Sequence, residues 1–145
     1  MAVIAVDIDH FKVINDRYGH LAGDKVLAAV GEELRRECRA PDVVGRLGGE
    51  EFAILLGHTR LEAAVSVAER IRQRLLATVV SVTEATRITV TASFGVAAFT
   101  PEDTYEDLLG RADVGLYRAK RAGRDRVVVI QDPIPSAELG RVCAA

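Results

Sequence analysis

The chain has 145 residues, 49% hydrophobic and 28% charged, and Lys+Arg 19 against Asp+Glu 21 leave a formal net charge of −2. That balance excludes a globally basic surface for nucleic acid, and Gly 12 with Pro 4 excludes collagen-like and low-complexity chains. One domain of this size buries roughly 70% of the surface its unfolded chain exposes, and with aromatics at 5% and no Trp its core has to be aliphatic.

Residues 2–7 (AVIAVD) form a short apolar, β-branched run that ends in an acid, the pattern of a buried strand. Residues 10–17 suit one or two helical turns closed by Tyr18-Gly19. Over 21–39 the apolar residues Val26, Leu27, Val30, Leu34 and Cys38 recur at helical spacing, with Pro41 as the stop. Two apolar runs, 43–47 and 52–56, flank Gly48-Gly49-Glu50-Glu51 and predict a β-hairpin. A second amphipathic helix is predicted over 60–77, and 79–86 leaves room for a short edge strand. Residues 87–97 alternate apolar and polar, which predicts one continuous strand. Leu108, Leu109, Ala112, Leu116 and Ala119 predict a helix over 104–122, ended by Gly123. A last strand is expected over 126–130, and a loosely held tail from Asp132 onward.

The expected order is β-α-α-β-β-α-β-α-β. It fits an α+β, ferredoxin-like, palm-type domain: a central antiparallel sheet flanked by helices, on one face. No apolar run approaches the ~20 residues of a membrane span, and no signal peptide is read at Met1. Cys38 and Cys143 make neither a disulfide framework nor a zinc site. A cytoplasmic setting, with neither nucleic acid nor membrane as partner, is the expectation.

Chemistry concentrates in three places. Central pairing of such a sheet brings the 48–51 hairpin tip beside the end of the first strand, so Asp7 and Glu50 converge. Facing carboxylates repel unless a cation lies between them, and a sparse oxygen site suits Mg²⁺, which keeps waters and accepts substrate phosphates. Gly48 and Gly49 let phosphate oxygens approach backbone N–H groups. The alternative is a plain hairpin with solvated acids. The second place holds Lys12, Asn15, Gly19, His20 and Asp24. Asn and Asp together match the donors and acceptor of a guanine edge, and Lys12 suits a phosphate; Asp24 as an ordinary helix acid and Asn15 as a turn residue are the alternatives. The third is Arg118, Lys120, Arg121, Arg124 and Arg126, either ligands for a triphosphate or cations that complement a helix C-terminus. There is no Walker A run, no G-x-G-x-x-G after a strand, and no calcium loop at Asp7-x-Asp9, because Phe11 and Lys12 stand where a ligand and a glycine belong.

Taken in order, Asp7-Ile8-Asp9-His10-Phe11-Lys12, Ile14-Asn15-Asp16, Gly19-His20, Gly23-Asp24, Arg46, Gly48-Gly49-Glu50-Glu51-Phe52, Ser93-x-Gly95, Ala112-Asp113, Leu116-Tyr117 and Ala119-Lys120 with Gly123-Arg124 resemble the GGDEF family of diguanylate cyclases over residues 2–130. The resemblance implies condensation of two GTP into cyclic di-GMP and two pyrophosphates by attack of a 3′-hydroxyl on the α-phosphate. It implies Mg²⁺, with Mn²⁺ as a substitute, held by Asp7, the Ile8 carbonyl and Glu50, with Asp7 and Glu50 the catalytic acids. It assigns guanine to Asn15 and Asp24, and the triphosphate to Lys120, Arg124 and the Phe11–Lys12 backbone, with Gly48 and Gly49 leaving room for the nucleotide.

Each GTP must attack the other, so the resemblance also implies an antiparallel homodimer, and a sensory or regulatory domain in a longer parent protein. Arg39-Ala40-Pro41-Asp42 resembles the family's R-x-x-D inhibitory site for cyclic di-GMP, with Arg70 as a further partner; the alternative is a helix end with ordinary charges. Asparagine is frequent where Asp125 stands. Family members carry an N-terminal helix and a D-x-L-T-G-L-x-N-R-R-like segment that this chain does not show, so the expected division is a GGDEF domain over 1–131 and a tail over 132–145. A catalytically impaired module that only binds GTP or cyclic di-GMP is the alternative function.

Overall fold

The computed structural model describes residues 1–131, so the tail expected from Asp132 lies outside the described residues. The elements run β1 (Ala2–Ile8), α1 (Phe11–Tyr18), α2 (His20–Glu37), β2 (Val43–Gly48), β3 (Glu51–Leu56), α3 (Leu61–Ala77), β4 (Val80–Ser81), β5 (Arg87–Ile88), β6 (Ala92–Ala98), α4 (Tyr105–Arg121) and β7 (Val127–Ile130). Five strands form one sheet in the order β2-β3-β1-β6-β7. β1 lies at its centre, antiparallel to β3 with Asp7 opposite Glu51, and antiparallel to β6 with Asp7 opposite Ser93.

The sheet is flanked by helices, as expected, but on both faces rather than one. The reason is written in β1, where every residue is buried. Ala2, Ile4, Val6 and Ile8 join a core with Val26, Val30 and Leu34 of α2 and Ala64, Ala68, Ile71 and Leu75 of α3. Val3 and Ala5 point the other way, to Leu108, Ala112 and Leu116 of α4. A strand apolar on both faces has to be covered on both. The α4 crossover also makes β7 parallel to β6, where an antiparallel sheet was expected.

Two further expectations change. The strand read over 87–97 is two pieces. β6 follows β1 only as far as the Ile8–Ala92 pair, and β5 pairs instead with β4 in a separate two-stranded ribbon. Helix α2 ends at Glu37, two residues short of the expected Arg39, because the Asp42 carboxylate accepts the Arg39 N–H at 2.9 Å and turns the chain there. At α4 the boundary is chemical: Thr104 accepts the Asp107 N–H, and the Asp107 carboxylate accepts the Thr104 N–H, a reciprocal capping box.

Helix α4 lies unusually close to β6. A Cβ on Gly95 would stand 1.9 Å from the Ala112 carbonyl oxygen and 2.2 Å from the Leu116 nitrogen, both backbone atoms. We therefore expect Gly95→Ala to cost at least ~3 kcal/mol or to prevent folding. Gly45→Ala, at a site with nothing within 4 Å of the new Cβ, should stay within ~0.5 kcal/mol. Denaturant midpoints of the two variants check this, and equal midpoints would contradict the close packing of α4.

Candidate active site

The period of two along β1 and β3 decides which acids meet. Asp7 and Glu51 are direct cross-strand partners, so both side chains leave the sheet on the face covered by α4. On α4, Asp113, Leu116, Tyr117 and Lys120 fall at helical spacing along one stripe. Lys120 Nζ donates to Asp7 Oδ2 at 2.6 Å, and the Asp7 side chain is 7% exposed. Burial pushes the Asp7 carboxyl above its ordinary range; Lys120 opposes that shift, and Glu50 and Glu51 add to it.

The hairpin tip is held from two sides. Arg46 donates from Nε and Nη2 to the Gly49 carbonyl at 3.0 and 2.7 Å, and Gly49 takes a left-handed φ of 50°. The Ile8 N–H donates to the Glu50 carbonyl at 3.3 Å, which fastens the tip to the end of β1. A register shift between Arg46 and Gly48 leaves Leu47 exposed on the edge.

Between tip and α4 opens a cleft of about 1010 Å³ lined by Asp7, Gly48, Gly49, Glu50, Glu51, Asp113, Lys120 and Arg124, among others. Six of the expected site residues thus come together: Asp7, Gly48, Gly49, Glu50, Lys120 and Arg124. Phe11, Lys12, Asn15 and Asp24 do not line that cleft. They sit beyond the β1–α1 turn, where Phe11 is buried in the core and Lys12 and Asp24 are exposed. Asn15 Oδ1 is buried with no hydrogen-bond partner. Gly23 faces it so closely that a Cβ there would stand 2.0 Å from that oxygen. An unmet buried acceptor is costly.

The R-x-x-D segment lies at the opposite end of the sheet, since Leu56, next to Gly57, pairs with Ala2. Asp42 is spent on backbone: it accepts the N–H of Arg39 and of Gly57, the latter at 3.2 Å. The Arg39 side chain is 68% exposed and touches Thr59. Arg70 donates to Glu37 at 2.8 Å, and Arg74 holds the other oxygen of the same carboxylate. The hydrogen bond from Arg70 leads in holding Glu37 below the ordinary carboxylate range.

Two residues carry more than their sequence context suggested. Asp113 stands in a motif already noted, seven positions before Lys120, and burial pushes its carboxyl up to about 6, helped by Glu51 and opposed by Lys120. The helical spacing to Lys120 is the signal that could have found it. Asp9 turns away from the cleft and accepts three hydrogen bonds, described below. Burial and repulsion from Glu50 and Glu51 work against a charged Asp7, and Lys120 is the positive partner that opposes them. Among the described residues no three His, Cys, Asp or Glu side chains converge on one point. Two carboxylates and a carbonyl, completed by water and phosphate oxygens, are a donor set that fits Mg²⁺. No helix among the described residues is long and apolar enough to cross a membrane.

The family model described as diguanylate cyclase, GGDEF domain, matches residues 1–126. The chain belongs to the GGDEF family, with the signature written here Gly-Gly-Glu-Glu-Phe. It is 46% identical over 129 residues to the diguanylate cyclase DgcP of Pseudomonas aeruginosa, covering 89% of this chain and 19% of that protein. The active GGEEF domain of a diguanylate cyclase from Vibrio cholerae superposes with a TM-score of 0.82 at 36% identity, over 90% of this chain and 83% of that one. The coiled coil and GGDEF domain of DgcB from Caulobacter crescentus, in complex with c-di-GMP, gives 0.84 at 31% identity, over 89% and 69%. The chain spans between 19% and 38% of the length of the curated relatives it matches.

Asp113 gives a prediction with a sign. Its folded-state value of about 6 lies above the ordinary 3.8, so ionisation opposes folding. The stability of the protonated form is fully present below pH 3.8 and is lost as the pH rises through about 6. Asp113→Asn removes that loss. Its melting temperature relative to the parent should rise from about pH 4.5 to about pH 7.5, and thermal unfolding that gave a constant difference would contradict the assignment.

Proposed function

We propose that this chain is a diguanylate cyclase domain that condenses two GTP into cyclic di-GMP and two pyrophosphates. The observation that carries the reading is the convergence of Asp7 with the hairpin-tip acids in one cleft that also presents Lys120 and Arg124. Acids alone would suit a cation, and bases alone an anion. The two sets together suit a metal-bound polyphosphate.

Asp7, the Ile8 carbonyl and Glu50 would hold Mg²⁺, or Mn²⁺ in its place. Bound there, the metal lowers the pKa of a 3′-hydroxyl and neutralises charge on the phosphates. Lys120, now paired with Asp7, exchanges that carboxylate for triphosphate oxygens, and Arg124 joins it with a planar fork. Gly48 and Gly49 would admit the phosphates without a Cβ, and the Phe11–Lys12 backbone, beyond the β1–α1 turn and outside the cleft lining, would have to meet them from that side. The buried, unpartnered Asn15 carbonyl oxygen would accept from the guanine edge, with Asp24 as the second acceptor. The 3′-hydroxyl gives up its proton to solvent, its oxygen bonds to the α-phosphorus and pyrophosphate leaves, so the protein's share is positioning and charge stabilisation. One domain supplies ligands for one nucleotide. The attacking hydroxyl comes from a GTP on a second copy facing it antiparallel about a two-fold axis.

Arg39, Asp42 and Arg70 form the proposed cyclic di-GMP inhibitory site. Arg39 supplies its exposed guanidinium, while Asp42 holds the turn that presents it. In a longer parent protein a sensory or regulatory domain would set how often two copies meet.

Incubation with GTP and Mg²⁺ tests the reading. Turnover per mole of protein should rise with protein concentration, and Glu50→Ala should lower it about 100-fold or more. Arg39→Ala should relieve inhibition by cyclic di-GMP without abolishing turnover. Absence of product at all protein concentrations, with GTP binding retained, would replace the cyclase by a nucleotide-binding module.

A further inference from the structure

Asp9 follows the metal end of β1 by one residue, and none of the roles above uses it. It is 4% exposed. A buried carboxylate without partners is expensive, yet no cation reaches this one among the contacts described. Its partners are hydrogen-bond donors from three separate stretches of chain. Thr91 Oγ1 donates to Oδ2 at 2.7 Å, Ser93 Oγ donates to Oδ1 at 2.7 Å, and the Asp125 N–H donates to Oδ2 at 3.1 Å. The Asp9 N–H in turn donates to the Thr91 carbonyl at 2.9 Å.

The third donor belongs to a strained turn. Arg124 and Asp125, between α4 and β7, take φ of 64° and 44° in succession. Side-chain-bearing residues are disfavoured in that region, so the turn persists only if its surroundings hold it. Those surroundings are visible. Arg124 N–H donates to the Ala119 carbonyl at 3.0 Å, and Phe94 N–H donates to the Arg126 carbonyl at 2.9 Å. Arg72 of α3 holds the Asp125 side chain at 3.0 Å. Asp9 is the tie from β1. It links the strand that ends in Asp7 and Ile8 to the turn that carries Arg124 into the cleft.

We propose that Asp9 is a positioning residue whose carboxylate fixes the 122–126 turn against the end of β1 and thereby sets where Arg124 meets the triphosphate. The inference rests on the reading of Arg124 as a triphosphate ligand. A residue that acts through Arg124 should lose its influence on nucleotide once Arg124 is gone.

The test is a double-mutant cycle read by calorimetry with a non-hydrolysable GTP analogue and Mg²⁺. Asp9→Ala and Arg124→Ala should each weaken binding about 10-fold, the loss of one charge-assisted contact, and the double variant should bind no more weakly than Arg124→Ala. Asp9→Asn keeps an acceptor for the Asp125 N–H and should restore most of the affinity lost in Asp9→Ala. Should Asp9→Ala fail to fold, Thr91→Val with Ser93→Ala loosens the carboxylate and enters the same cycle. Additive losses, or parent-like binding by Asp9→Ala, overturn the inference while leaving Arg124 as a ligand. Unchanged binding by Arg124→Ala overturns the underlying reading of Arg124, and the inference with it.

Discussion

A strand buried on both faces can carry a charge only where its cover ends. β1 is such a strand, and Asp7 is its first carboxylate, reached where the core on the α4 side gives way to the cleft. The central place of β1 then sets the neighbours of that carboxylate without further choice. Antiparallel pairing with β3 puts Glu51 across from it, pairing with β6 puts Ser93 on its other side, and α4 offers Lys120 from above. A one-residue slip of β3 would turn Phe52, Ile54 and Leu56 out of the core. The hydrophobic pattern that stabilises the sheet is therefore also what aligns the acids.

Charge explains why such a cleft calls for two kinds of ligand at once. Asp7, Glu50, Glu51 and Asp113 line it together with Lys120, Arg121 and Arg124. Burial holds Asp7 and Asp113 partly toward their neutral forms, a sign that the bases alone do not offset the acids. Lys120 is already committed to Asp7, so under the proposed function an anion that engaged Lys120 would leave Asp7 in need of another positive partner. Asp7 and Glu50 would then hold a divalent cation while Lys120 turned to the phosphates.

Much of this was legible in the sequence. Apolar runs, alternation and helical spacing located the main-sheet strands and the three long helices, 10–17 suited one or two helical turns, and the acids at positions 7 and 50 were expected to converge. What was not legible depends on neighbours distant in sequence. Ile88 and Val90 continue the alternation of β6, and only the end of β1 at Ile8 explains why the sheet stops at Ala92. Leu108, Ala112 and Leu116 define an apolar stripe, but nothing in that stripe says which face of the sheet it covers. Asp113 reads as one more polar residue of an amphipathic helix until α4 lies across Glu51. That the Asp42 carboxylate also closes the turn at Arg39 and Gly57 was not legible, because Gly57 is distant in sequence.

Unfavourable features occur at both ends of the sheet, since His58 beside Gly57 also takes a left-handed φ of 48°, but the ends differ in how they are offset. At the end where β1 stops lie the crowded acids, the unmet Asn15 oxygen and the left-handed pair Arg124–Asp125. At the end where β1 starts, Arg111 is 3% exposed; although its Nε lacks a partner, its other donors meet the carbonyls of Ala98 and Gln131 and the Asp103 carboxylate. Asp103 also accepts the Thr100 N–H, and the capping box at Thr104 completes that end. A chain selected for stability alone would have no reason to keep repulsion, strain and an orphan acceptor together. The Arg124–Asp125 turn is held from within the chain by Asp9 and Arg72, whereas the Asn15 oxygen has no partner among the described residues and Lys120 only partly offsets the burial of Asp7 and its repulsion from Glu50 and Glu51.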